Sequence, residues 1–135
     1  MELKFELYED GPVHNSGRQE HVTIRSNGQI FLNRAVLEKL GPPDAVALMY
    51  DPRNSVIGIK ATQPGQKHAF RLRRSYSGRS RGRQIAAVPF LRHHKILPTE
   101  AIAFLEPKVN RDGILLLDLN ETYIVAPRSP KKRST

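Results

Sequence analysis

The stretch of this chain richest in reactive chemistry is residues 71–83, RLRRSYSGRSRGR. It holds Arg71, Arg73, Arg74, Arg79, Arg81 and Arg83, and no acidic residue. A guanidinium presents a planar fork of donors that matches a phosphate, a geometry lysine lacks. Gly78 and Gly82, with Ser75, Ser77 and Ser80, leave the backbone free to follow a groove. Arginines on such a loop can enter the minor groove of DNA by its potential, or fork onto a guanine edge in the major groove. The plain alternative is a solvated loop that contacts nothing.

A second basic stretch is Arg92-His93-His94-Lys95. Four consecutive residues sweep around a helix and cannot all face one way. Arg92 and Lys95 are the expected phosphate contacts there. Arg25 lies on an earlier strand, at a position matching Arg71 or Arg73, and would extend the same basic face. The expected nucleic-acid-binding set is therefore Arg25, Arg71, Arg73, Arg74, Arg79, Arg81, Arg83, Arg92 and Lys95. Arg34 and Lys39 read as helix surface. Arg128, Lys131, Lys132 and Arg133 sit in a terminal tail, where they would add weak, non-specific attraction or nothing.

The whole composition points the same way. Twenty-two Lys and Arg against 13 Asp and Glu leave a formal charge of +9 on 135 residues, which draws phosphate polyanions to the surface. Cysteine is absent, so disulfides, thiolate catalysis and Cys-ligated zinc are excluded. That usage fits a reducing compartment, and the expected location is cytoplasmic, on the nucleoid if the partner is DNA. His14, His21 and His68 stand apart from His93 and His94, with no His-x₃-His spacing or carboxylate cluster, so no metal site is expected. There is no phosphate-binding P-loop, no Gly-x-Ser-x-Gly and no sensible carboxylate pair, and neither an enzyme nor a cofactor is expected. No apolar run approaches the roughly 20 residues that span a bilayer. Tryptophan is missing and aromatics are 7%, which gives a base-stacking platform little to work with.

These residues need a scaffold, and the pattern supplies mainly strands. Leu3, Phe5 and Leu7 alternate with Lys4, Glu6 and Tyr8, as in a half-buried strand that is no signal peptide. Val22 and Ile24 begin a second strand, Ser26-Asn27-Gly28 is a hairpin turn, and Gln29 to Leu32 returns. Asn33 caps a two-turn helix over Arg34 to Leu40, ended by Gly41 and Pro42-Pro43. Ala45 to Tyr50 and Val56 to Ile59 form a hairpin around Asp51-Pro52. Phe70 and Leu72 begin another strand. Ile85 to Val88 is a strand, Pro89 opens a short helix to Ile96, and Pro98 ends it. Glu100 to Leu105, Ile114 to Leu117 and Thr122 to Val125 complete the strands. Residues 127–135 read as a basic disordered tail.

The order recurs. PPDAVAL, from Pro42, lies over PTEAIAF, from Pro98, with Lys39 on Lys95 and Leu40 on Ile96. Repeats at about 20–61 and 68–119 would make residues 1–126 one domain.

The first copy, VTIRSNGQIFLNRAVLEKLG from Val22 followed by DAVALMYDPRNSVIGIK, resembles the swapped-hairpin DNA-binding family of AbrB, MazE and SpoVT. Gly28, the strand Ile30-Phe31-Leu32, Leu37, Leu40 and Gly41 sit where the family pattern wants them. Asn33 and Gln29 depart from it, standing where the family often has Pro and a basic residue. In the second copy Arg81-Gly82-Arg83 and Pro89 fit better, but two extra residues separate Gly82 from Pro89, and Leu97 replaces the terminal Gly. The resemblance implies a mainly β fold with two short helices, an intertwined β-barrel with pseudo-two-fold symmetry from two internal repeats in one chain. It implies a double-stranded DNA-binding transcriptional regulator, as a monomeric barrel or a homodimer. One unit of about forty residues cannot bury a sufficient core alone, so the units must pair. The alternatives are an RNA- or ribosome-associated module, or a protein-interaction barrel of a mobile-element or toxin–antitoxin system.

Overall fold

The structure, a computed structural model, describes residues 19–74 and 82–125. Arg79, Arg81, the strand expected at residues 3–8 and the basic tail lie outside the described residues.

Alternating burial produces β1 (Val22–Ile24) and β2 (Gln29–Leu32), paired antiparallel. In the turn between them, Gly28 N–H donates to Arg25 O at 2.9 Å. Gly28 takes φ +89°, while Asn27 stays at negative φ. A two-residue type I′ turn would need positive φ at both, so the Asn-Gly pair makes a turn centred one residue earlier, with Gly28 as its left-handed exit.

Helix α1 (Arg34–Lys39) buries Ala35, Val36 and Leu37. Leu40 ends it, Gly41 follows at φ +80°, and Gly41 N–H donates to Glu38 O at 3.2 Å. Helix α2 (Val88–His93) starts from Ala87 with no side-chain cap and has Pro89 in its first turn. It ends on His94 with the paired bonds of a left-handed stop: Lys95 N–H to Arg92 O at 3.1 Å and Ile96 N–H to Leu91 O at 2.9 Å. Lys95 therefore holds the place that Gly41 holds after α1, at φ +59°. This corrects the expectation for Leu97, and the expected match of Lys39 with Lys95. A Cβ in this conformation costs about 1–2 kcal/mol. Lys95→Gly is expected to raise stability by about 0.5–1 kcal/mol, after the added freedom of the unfolded chain is counted. Urea unfolding measures it; an unchanged or lower midpoint would refute the strain.

The central hairpin is β3 (Ala45–Asp51) and β4 (Val56–Thr62), closed by Asp51, whose carboxylate accepts from Arg53 N at 3.0 Å and Asn54 N at 3.3 Å. The expected strand at Phe70 is two short ones, β5 (Phe70–Arg71) and β6 (Arg73–Arg74), broken at Leu72. Leu72 N–H donates to Asp44 O at 3.0 Å, and there the chain passes from one sheet to the other. β7 (Arg83–Ala86) stops short of Val88, which already belongs to α2. β8 (Ile102–Phe104), β9 (Lys108–Val109), β10 (Ile114–Asp118) and β11 (Thr122–Ile124) follow. β9 lies between the strands expected at Glu100 to Leu105 and Ile114 to Leu117, where no strand was expected.

The strands form two antiparallel sheets, ordered β11-β8-β1-β2-β7-β6 and β5-β3-β4-β10-β9. This is not a closed barrel: among the described residues each sheet keeps two edges. One apolar cluster joins them, with Ile24, Ile30 and Ile85 from the first sheet, Ile57, Ile59, Leu115 and Leu117 from the second, and Val36 and Leu91 from the helices. Among the described residues no helix is long and apolar enough to cross a membrane.

Candidate nucleic-acid interface

The break at Leu72 decides where the arginines point. Side chains alternate along a strand and directly paired residues share a face. Arg71 is paired with Ala45 in the second sheet. Arg73 is paired with Gln84, which continues to Phe31 and Thr23 along the outer face of the first sheet. Arg74 is paired with Arg83, whose row continues to the buried Leu32 and Val22. So Arg73 and Arg74 lie on opposite faces, and the expected single arginine face is instead a basic rim wrapped around one sheet edge. Arg71, Arg73 and Arg74 are exposed and Arg83 is half-buried.

The Arg74–Arg83 pair sets like charges directly opposite each other, an arrangement that costs stability in a sheet. An anion placed between them would reverse that cost. Arg83 also donates from a guanidinium nitrogen to Gly82 O at 3.0 Å, and it lines a pocket with Arg34, Glu38 and Asp44. Its charge thus meets acidic company on one side and Arg74 on the other. Gly82 is packed closely: a Cβ there would stand 2.5 Å from the Phe31 ring and 2.6 Å from Leu32 O. The rim is therefore anchored where residues 75–81 rejoin β7.

Arg25 follows β1 and is exposed. It lines a shallow groove with His21, Thr23, Ser26, Asn27, Phe31, Ala101 and Val125. His21 is exposed as a whole residue, but partial desolvation lowers the pKa of its ring, which favours a neutral imidazole rather than a second cation. Its Nε2 lies 3.0 Å from Thr23 Oγ1. Arg92 and Lys95 are exposed on the last turn of α2 and just beyond it, on a different element from the strand arginines. His94, between them, is packed against Tyr50 and Phe90, with ring centroids 4.8 and 5.0 Å away, and so belongs to the packing.

Gln84 and Thr23 share the row of Arg73, yet neither is conspicuous in the sequence. Both are uncharged, and only strand pairing puts them beside the rim. Gln29 Oε1 is buried without a hydrogen-bond partner among the described residues. Among those residues no group of three His, Asp or Glu side chains could hold a metal ion. Comparison with protein-family models, with curated proteins and with solved structures finds no match to this chain.

Proposed function

We propose that this chain binds double-stranded DNA through the basic rim at β5, β6 and β7 and acts as a transcriptional regulator. The observation that carries the reading is the Arg74–Arg83 cross-strand pair, with Arg73 beside it; in the sequence Arg79 and Arg81 fall between the two paired residues. A sheet edge that places guanidinium groups opposite one another gains stability from an anion bridging them, and the phosphates of a nucleic-acid backbone have the oxygens to do so. A rim facing both sides of an edge suits a ligand that curves past it, as a duplex backbone does.

The same reading takes the fold as a duplicated swapped-hairpin unit of the AbrB type. β2 pairs antiparallel with β7, and β4 with β10, as equivalent strands do across a two-fold axis. β1 pairs with β2 as β6 does with β7, and β1 with β8 as β5 does with β3. Those pairings support two interlocked units within one chain. In this correspondence Gly28 matches Gly82 and Gly41 matches Lys95, so the two extra residues of the second unit fall after its helix, as Ile96 and Leu97, rather than before it.

With about five phosphates engaged, log K for a duplex should fall against log salt with a slope of about −4 to −5. The double substitution Arg73→Ala/Arg74→Ala should weaken binding about tenfold and flatten that slope by about two. Fluorescence anisotropy over a salt series measures both. A flat salt dependence would sink the proposal, and preference for structured RNA in competition would redirect it.

A further inference from the structure

Three large apolar side chains are exposed along one edge of the first sheet: Leu105 at 58%, Tyr123 at 47% and Ile124 at 58%. The edge strand is β11, with Leu105 just past β8. A row of isoleucines crosses this sheet, Ile85, Ile30, Ile24, Ile102 and Ile124, each the cross-strand partner of the next. The first three are fully buried, Ile102 is half-buried, and Ile124 is 58% exposed. The core-facing row runs off the edge of the described fold. Edge strands are usually guarded by a charge, a proline or a bulge, and Thr122-Tyr123-Ile124 has neither charge nor proline. Beyond β11 no strand lies among the described residues.

We propose that residues 3–8 of the same chain dock on β11 as a further antiparallel strand. Leu3, Phe5 and Leu7 alternate with Lys4, Glu6 and Tyr8, which is the pattern of a strand with one apolar face to bury. That face would continue the isoleucine row. The connection also fits. β1 and β11 both pair antiparallel with β8, so they run parallel to each other, and Val22 is level with Phe104 and Thr122. A strand antiparallel to β11 ends level with Val22, beside the start of β1. Residues 9–18 then cross three strand spacings, about 14 Å, well within their reach of roughly 33 Å. A second copy of the chain fits less well. The three exposed side chains offer on the order of 300 Å² per copy, where a stable dimer buries about 800 Å² per partner.

The chain has no cysteine, so introduced pairs report cleanly. Phe5→Cys/Ile124→Cys and Leu7→Cys/Ile124→Cys, made separately in the full chain, are oxidised mildly and run on a non-reducing gel. An intramolecular cross-link in at least one pair is expected, and none with Leu116→Cys on the other sheet. A cross-linked dimer would overturn the proposal in favour of a second copy, and no cross-link in either pair would also overturn it. Amide exchange gives a second reading. Leu105 N–H bonds to Glu121 O and Val125 N–H to Ala101 O, so the Thr122 and Ile124 amides alternate outward from β8. Their protection should exceed that of an open edge at least tenfold, and Phe5→Glu should abolish it. Fast exchange of both amides in the unaltered chain would overturn the proposal.

Discussion

Replacing Asn33 with alanine is expected to destabilise the fold by about 2–4 kcal/mol, lowering the urea midpoint by about 2 M at an m-value near 1.5 kcal/mol/M. Asn33 is buried, and its side chain does three jobs. Oδ1 accepts from Val36 N at 3.2 Å, capping α1, and from His21 N at 3.1 Å, while Nδ2 donates to Gln19 O at 2.6 Å. An N-cap alone contributes about 1 kcal/mol. The other two bonds, both part-buried, tie the segment entering β1 to the start of the helix, and alanine would remove the partner of each. Asn33→Asp keeps the acceptor and loses the donor, so it should fall between wild type and alanine. A loss below about 1 kcal/mol for Asn33→Ala would mean that only the cap matters.

A comparable loss, about 2–4 kcal/mol, is expected for Gly28→Ala, from a different cause. At φ +89° any side chain is strained, at about 1–2 kcal/mol. The added Cβ would also stand 2.1 Å from Val88 Cγ2 and 3.1 Å from Val88 Cα. Val88 cannot easily turn aside, since a β-branched residue in a helix has one preferred rotamer. The site is the junction of the two halves, because Ala87 N–H donates to Gly28 O at 3.0 Å as α2 begins. Gly41 separates the two causes: it has φ +80°, with open space where a Cβ would go. Gly41→Ala should cost only the conformational part. Val88→Ala combined with Gly28→Ala should recover the steric part, a coupling that a double-mutant cycle reads directly. Equal losses for the Gly28 and Gly41 substitutions would rule out the clash.

The sequence expectations succeeded where local chemistry decides and slipped where partners do. Asn33 is legible as a cap because Arg34 to Leu40 has helical spacing and Asn is a strong N-cap. The Val56 strand runs on to Thr62, beyond the expected Ile59, because β3 and β10 flank it on both sides. Val88 has an apolar, β-branched side chain and reads as strand. It is helix because Pro89 suits a first turn and because Gly28 leaves room for it. Lys95 has no local mark of a helix stop; its left-handed backbone accompanies the bond from Ile96 N–H to Leu91 O, and both those side chains pack in or against the apolar cluster.

The arginine-rich stretch is the clearest case of the division. Its composition, with Arg71, Arg73, Arg74 and Arg83 near one another and no acid among them, is a property of the sequence alone, and so is the local excess of positive charge on which the proposed phosphate contacts rest. Period-two alternation likewise belongs to the sequence and sets which residues of each strand share a face. Only the tertiary structure decided that Leu72 is a corner, bonded to Asp44 O and dividing the stretch between two sheets. From that break follow a rim instead of a face, Arg74 opposite Arg83, and Gln84 beside Arg73. The reason is that strand partners far apart in the chain are chosen by closure of the shared core, and alternation within one strand carries no record of which strand lies next to it.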